Sequence, residues 1–413
     1  DASPLGYAQT QNNRATLLSQ LASLPGQDRA SLLQQALDAY AEALRFLTPD
    51  ASPLGYAQTQ NNRATLLSEL ASLLGQNRAS LLQQALDAYT KALRFLTPDA
   101  SPLNYAQTQN NRANLLRKLA SLPGQDRASL FQQALDAYAE ALRFLTPDAS
   151  PLDYAQTQNN HAILLSELAS LPGQDRASLL QQALDAYAEA LRFRTPEASP
   201  LDYATTQNNR ATLLSELASM PGKDRASLLQ QALGLSDEVL RIYSRNPDPL
   251  PLAMTFGNRA NILLEVASLD DGSRMERLTE ALQLAWTAFN LFTKLQHQQY
   301  QELAARQLQK LRMICGDDFD ALWPRLKAGP PPPWLTQEGI IHMLIQQYVS
   351  AIIASPDPRT MAESWQQVPQ NLKTPLLVTL EELATHADKQ GEAKTAELLR
   401  QRIEALRQFE EPQ

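Results

Sequence analysis

The chain has 413 residues, a net charge of −8 and one cysteine, Cys315. An acidic chain without a basic stripe is not expected to bind nucleic acid, and a lone cysteine excludes both a disulfide framework and a zinc site built from cysteines. No apolar run approaches the roughly 20 residues that span a bilayer, so no membrane partner is expected.

From its first residues the chain repeats. Asn13, Asn62, Asn111, Asn160, Asn209 and Asn258 recur every 49 residues, marking five near-identical copies and a drifted sixth. A period of this size is the mark of stacked helical units. The chain opens at Asp1 inside an inter-repeat linker, because DASPL recurs after Pro49, Pro98 and Pro147. With no initiator Met and no signal peptide, it reads as a piece of a longer, cytoplasmic protein.

Each copy predicts two helices. In the first copy Ser3-Pro4 opens one, Ser being a favoured N-cap and Pro costing no hydrogen bond at the first helical position. That helix runs to about Leu24, where Pro25-Gly26 stops it. The second starts at Asp28, with Asn77, Asp126, Asp175, Asp224 and Ser273 as its capping counterparts, and runs to about Leu47, ended by Thr48-Pro49. Helical spacing puts Ala36, Leu37, Tyr40, Ala43, Leu44 and Leu47 on one apolar stripe of the second helix, and Tyr7, Leu17, Leu18, Leu21 and Leu24 on the inner side of the first. The other side of the first helix carries Gln9, Asn12, Asn13, Thr16 and Gln20. That stripe is polar but uncharged, and Asn and Thr are poor helix formers, so helix stability does not explain it.

The repeats give residues 1–297 as the array and 298–328 as capping helices, including Tyr300–Ile314 and a short helix over Asp317–Lys327. Gly329 and Pro330–Pro333 read as a stiff linker. Residues 334–413 read as a small helical module. Thr336 caps an apolar helix there, Thr374-Pro375 opens a second that ends at Gly391, and Glu392–Phe409 forms the last.

Ala36-Leu37-x-x-Tyr40-x-x-Ala43-Leu44 resembles the second-helix signature of tetratricopeptide (TPR) repeats. Asn13-x-Ala15-x-x-Leu18 resembles their first-helix pattern. The usual unit is about 34 residues; this longer form, TQNNxA…DRxxxLxxAxxAYxxAL, resembles extended repeats of bacterial, notably cyanobacterial, proteins. There such arrays often accompany caspase-like CHAT peptidase domains or signalling NTPase domains. The resemblance implies an all-α fold, a right-handed α-solenoid of about six 49-residue helical hairpins followed by a helical C-terminal module.

It also implies a site. In such arrays first helices line a concave groove, and asparagines at the position of Asn13 grip the backbone of an extended peptide. That places Asn13, Asn62, Asn111, Asn160, Asn209 and Asn258 in a peptide-binding groove, widened by Asn12, Asn61, Asn110, Asn159 and Asn208. An amide offers both donors and an acceptor, matching one peptide unit without reading its side chain. Six such bonds at about 0.5–1.5 kcal/mol each barely offset an association cost of about 4–15 kcal/mol, so further anchors are needed. Arg14, Arg63, Arg112, Arg210 and Arg259 fall on the apolar side, where the family has a leucine, and are expected to form structural ion pairs between helices. Their candidate partners are Asp38, Asp87, Asp136 and Asp185, or Glu42, Glu140, Glu189 and Glu238. His161 replaces this arginine in the fourth copy.

No P-loop, GxSxG or dinucleotide fingerprint is present. Cys315 lies beside Asp317 and Asp318, which disfavour a thiolate. Neither an enzyme nor a cofactor or metal is expected. The first expectation is a scaffold that binds a protein or peptide partner, as the sensor or adaptor part of a larger bacterial regulatory or defence protein. The alternatives are a self-assembling array that forms homo-oligomers and the regulatory region of an enzyme whose catalytic domain lies elsewhere.

Overall fold

A computed structural model describes residues 3–24, 26–73, 77–269 and 272–409. The chain is all-α and divides into two compact units, Asp1–Thr255 and Phe256–Gln413. The boundary between these units falls inside the sixth copy.

The first unit stacks five helical hairpins: α1 (Pro4–Ala22) with α2 (Arg29–Ala43), α3 (Pro53–Leu73) with α4 (Arg78–Leu93), α5 (Pro102–Ala120) with α6 (Arg127–Leu142), α7 (Pro151–Ala169) with α8 (Arg176–Leu191), and α9 (Pro200–Ala218) with α10 (Arg225–Tyr243). The next helix, α11 (Pro249–Ala267), crosses into the second unit. Proline opens each first helix, as read from the sequence, but Ser3, Ser101, Ser150 and Ser199 make no side-chain cap. Ser150 Oγ instead donates to Asp153 Oδ2 at 2.5 Å. The second helices are capped through their aspartates: Asp28, Asp126, Asp175 and Asp224 each accept the backbone N–H three residues on, at 3.1 Å. Asn77 sits in the left-handed region at φ 69° and makes no such bond, nor does Ser273. Pro25 lies outside the described residues. Gly26, at φ 78°, takes the left-handed turn that a side chain would resist.

The core forms between hairpins as much as within them. Leu33, Leu37 and Tyr40 of α2 join Leu66, Leu67 and Leu70 of α3 in one buried cluster. Ala15, Ala36, Ala64 and Ala85 are fully buried, and their small side chains let helices approach closely. Each of the first four hairpins is closed at its open end by an edge-to-face pair such as Tyr7–Phe46 or Tyr105–Phe144. The inner face expected for α1 is corrected by this packing. Leu17 is 64% exposed, and Tyr7, Leu21 and Leu24 are exposed too, whereas Leu66, Leu115, Leu164 and Leu213 at the position of Leu17 are buried. In the four later copies a preceding hairpin covers that face.

The second unit contains the rest of α11, then α12 (Arg274–Lys294), α13 (Gln298–Cys315), the single turn α14 (Phe319–Leu322) between 3₁₀ turns, α15 (Gln337–Ala354), α16 (Pro358–Gln366), α17 (Gln370–Lys389) and α18 (Ala393–Gln408). The proline run is not a free spacer. Trp323 Nε1 donates to Gly329 O at 2.8 Å, and Trp334 packs on Phe289 beside Trp286. Helices α15–α18 share a core built on Ile352, Trp365, Leu376, Leu380 and Leu406. Thr336 accepts from Gly339 N at 3.2 Å, giving the expected cap. Pro375 lies inside α17, which starts at Gln370 instead of at Thr374. Sequence patterning missed α16, although Asp357 caps it by accepting from Arg359 N and Thr360 N. Gly391 ends α17 with a left-handed turn, and Glu392 N reaches back to Ala387 O at 2.9 Å.

Candidate functional site

The first helices of three consecutive hairpins, α3, α5 and α7, line one polar cavity of about 370 Å³. Asn61 and Asn62 enter it from α3 and Asn110 and Asn111 from α5. The two asparagines of each copy do different work. Asn12 Oδ1 accepts from Thr59 of the next hairpin at 3.0 Å; Asn61 accepts from Thr108 at 3.1 Å and Asn159 from Thr206 at 3.1 Å. Asn110 accepts from Asn160 Nδ2 at 3.5 Å. In the first four copies the first asparagine of the pair therefore ties adjacent hairpins. The physical reason is spacing: for Asn12, Asn61 and Asn159 the threonine hydroxyl 47 residues on lies within reach and occupies one lone pair of the amide oxygen.

The second asparagine is more open. Asn13 is exposed and Asn62, Asn111, Asn160, Asn209 and Asn258 are half-buried. Asn62 and Asn111 accept from the amides of their own neighbours Asn61 and Asn110 at 3.2 and 3.3 Å. The Nδ2 of Asn111 has no partner among the described residues. Asn160 and Asn209 do not line this cavity, Asn208 has no side-chain bond among the described residues, and Asn258 belongs to the second unit. The asparagines that share this cavity are those of the second and third copies. Thr16 leaves the polar stripe altogether, its hydroxyl meeting Tyr40 OH across the hairpin at 3.2 Å. Burial holds the Tyr40 phenol above its ordinary range, and the bonds to Thr16 and Asn62 oppose this. The deeper Tyr89 phenol is pushed up to about 12 by the same cause.

Gln58, Gln107 and Gln156, the counterparts of Gln9 on the polar stripe, line the cavity too, as does Asn114 at the position of Thr16. Sequence reasoning missed Asn104, Asp153, Leu96 and Leu145 in the wall. The available signal was the difference between copies: Gly6, Gly55, Asn104, Asp153 and Asp202 occupy one repeat position in near-identical sequence. Leu47, Leu96 and Leu145 give way to Arg194 at another. Arg194 is 4% exposed, and no carboxylate lies within 4.0 Å of its guanidinium among the described residues. It donates from Nη1 to Thr206 Oγ1 and from Nη2 to Gln156 Oε1, both at 3.0 Å. Burial lowers its pKa, and the charge of Asp202 works against this.

The repeated arginines differ from one another in their partners. Arg259 pairs with Glu280 at 2.9 Å. Arg14 is exposed, and Arg63, Arg112 and Arg210 are half-buried; none of these four has a carboxylate within 4.0 Å among the described residues. Burial lowers the Arg112 pKa, while Tyr105 and Asp136 raise it from further away. The acids expected to pair with them are held elsewhere. Asp38, Asp87, Asp136 and Asp185 accept from Gln34, Gln83, Gln132 and Gln181 one turn earlier. Glu42, Glu140 and Glu189 hold Arg45, Arg143 and Arg192 three residues on. Glu140, Glu189 and Glu238 also accept from Tyr105, Tyr154 and Tyr203. Local pairs in one helix form at less entropic cost than pairs across helices. His161 stacks loosely on Tyr138, with ring centroids 5.9 Å apart, and burial lowers its pKa.

No family model matches this sequence, and no curated protein matches it. Among solved structures it is similar to a circular tandem repeat protein with novel repeat topology and enhanced subunit contact surfaces. That match has 16% identity and a TM-score of 0.31, over 98% of this chain and 97% of that one. It is also similar to the de novo designed helical repeat protein DHR64, at 14% identity and a TM-score of 0.11, over 78% of this chain and 96% of that one. The chain has a helical-repeat fold. That statement rests on its own hairpins, since likenesses this distant carry no argument about function. Among the described residues no helix is long and apolar enough to cross a membrane.

Proposed function

We propose that this chain is a non-enzymatic interaction scaffold of the tetratricopeptide type. It binds an extended segment of a partner protein along the first helices of its hairpins and serves as the sensor or adaptor part of a larger bacterial regulatory protein. The observation that carries this reading is the polar cavity shared by α3, α5 and α7. Its wall is made almost wholly of side-chain amides and hydroxyls, with Leu96 and Leu145 as apolar anchors. Amide walls satisfy the N–H and C=O groups of an extended backbone, which would otherwise lose their water unpaired.

The test uses the full chain, immobilised and exposed to a randomised dodecamer peptide library. Recovered peptides should bind the wild-type chain, and Asn62→Ala with Asn111→Ala should weaken them about tenfold or more, as expected for two lost bonds of about 1 kcal/mol each. The helical circular dichroism should be unchanged. Retained affinity in the double variant rejects the groove. A second reading, self-assembly through hairpin ends, is favoured by one observation, the exposed Leu17, Leu21 and Leu24 of α1. Light scattering of the purified chain separates the two.

A further inference from the structure

The fourth copy breaks the repeat at two places beside the cavity, Asp153 and Arg194, and each holds a cavity-lining glutamine. Gln107 Nε2 donates to Asp153 Oδ2 at 3.0 Å across the α5–α7 interface. Arg194 Nη2 donates to Gln156 Oε1 at 3.0 Å. The sense of both bonds is fixed by chemistry. A carboxylate only accepts, so the NH₂ of Gln107 must face Asp153; a guanidinium only donates, so the oxygen of Gln156 must face Arg194. Gln107 is left with its Oε1 to offer the cavity, and Gln156 with its Nε2. Both glutamines line the cavity and are exposed.

Resting on the groove reading above, we propose that Asp153 and Arg194 are positioning residues that lock these two amides in opposite senses. The cavity then presents an acceptor from α5 and a donor from α7. An extended backbone offers N–H and C=O groups in an order set by its chain direction. Gln107 and Gln156 therefore accept a peptide segment running one way and leave polar groups unpaired against one running the other way. Elsewhere the copies lack the two residues together: Leu96 and Leu145 stand at the position of Arg194 and Gly55 and Asn104 at that of Asp153, while the fifth copy keeps the aspartate as Asp202 with Tyr243 at the position of Arg194. An arginine buried to 4% exposure without a carboxylate is costly for the fold, which favours a role outside packing.

The experiment uses the full chain and a dodecamer recovered from the randomised library, carrying a photo-crosslinker at its N-terminus. Mass spectrometry maps where that end lies. In the wild-type chain, crosslinks should favour one end of the cavity, α3 or α7, by about tenfold, the expected penalty for unpaired polar groups in the reversed pose. In the double variant Asp153→Gly with Arg194→Leu, the preference should fall to within about twofold, with the peptide still bound, because both glutamines are free to turn. Both substitutions restore residues that other copies carry at those positions, and Leu47, Leu96 and Leu145 are buried there, so the fold should persist. A peptide that binds wild-type chain with no preferred end overturns the proposal, as does a preference that survives in the double variant. Failure to recover any binding peptide overturns the groove itself, which is a separate result.

Discussion

Leu17 and Leu66 share one local sequence, QNNRATLLS, and occupy the same position of successive repeats, yet Leu17 is 64% exposed and Leu66 only 2%. Truncating each to alanine isolates tertiary packing from local propensity. Leu66 sits among Leu33, Leu37, Leu67 and Leu70. Its removal loses the transfer of a buried leucine and leaves a cavity between two hairpins, a cost of about 2–5 kcal/mol. Leu17 has about a third of its surface to lose, roughly 0.5–1 kcal/mol from a full burial of about 1.5–3. Alanine's better helix propensity returns a few tenths of a kcal/mol at both sites. The expected difference is therefore at least about 1 kcal/mol. Because a repeat array need not unfold in one step, the measurement is native-state hydrogen exchange of amides in α1–α4. Leu66→Ala should lower the protection of α2 and α3 by the larger amount, and Leu17→Ala should touch only α1. Equal effects would refute the reasoning, because they would mean that the face of α1 is covered.

His161 is a base whose pKa is lowered by burial, so the unfolded chain binds its proton more readily than the folded one. Stability should then fall as pH drops through the ordinary histidine range and level off below the lowered folded value. His161→Arg, the residue of the other copies, should flatten that slope in denaturation curves taken from pH 7.5 to about pH 5. The Cys315 thiol is pushed up to about 11 by burial. Alkylation at pH 8 should be slow in the native chain and fast in denaturant, as followed by mass spectrometry. Asp126→Ala removes the bond to Ser129 N and should destabilise α6 by about 0.5–2 kcal/mol, read as lost exchange protection in its first turn. Asn77→Gly, which keeps the left-handed turn where no cap bond exists, should not show that loss.

Within one copy, the sequence alone determined most of what is local. The 49-residue period, proline at the first helical position, and the aspartate caps of α2, α6, α8 and α10 follow from short-range sterics and hydrogen bonding, so they can be read without a partner helix. The polar stripe carrying Asn12 and Asn13 was legible for the same reason. What each asparagine does was not. Asn12 is taken by Thr59, 47 residues away, and Gln107, not marked by the stripe's repeated pair, reaches Asp153 in the next hairpin. Arg14, Arg63, Arg112 and Arg210 lack the expected pairs among the described residues because the nearby carboxylates had partners on their own helices, whereas Arg259 holds Glu280. Such outcomes depend on the register between stacked hairpins, a quantity no single copy encodes. The same register buries Leu66 and leaves Leu17 in water.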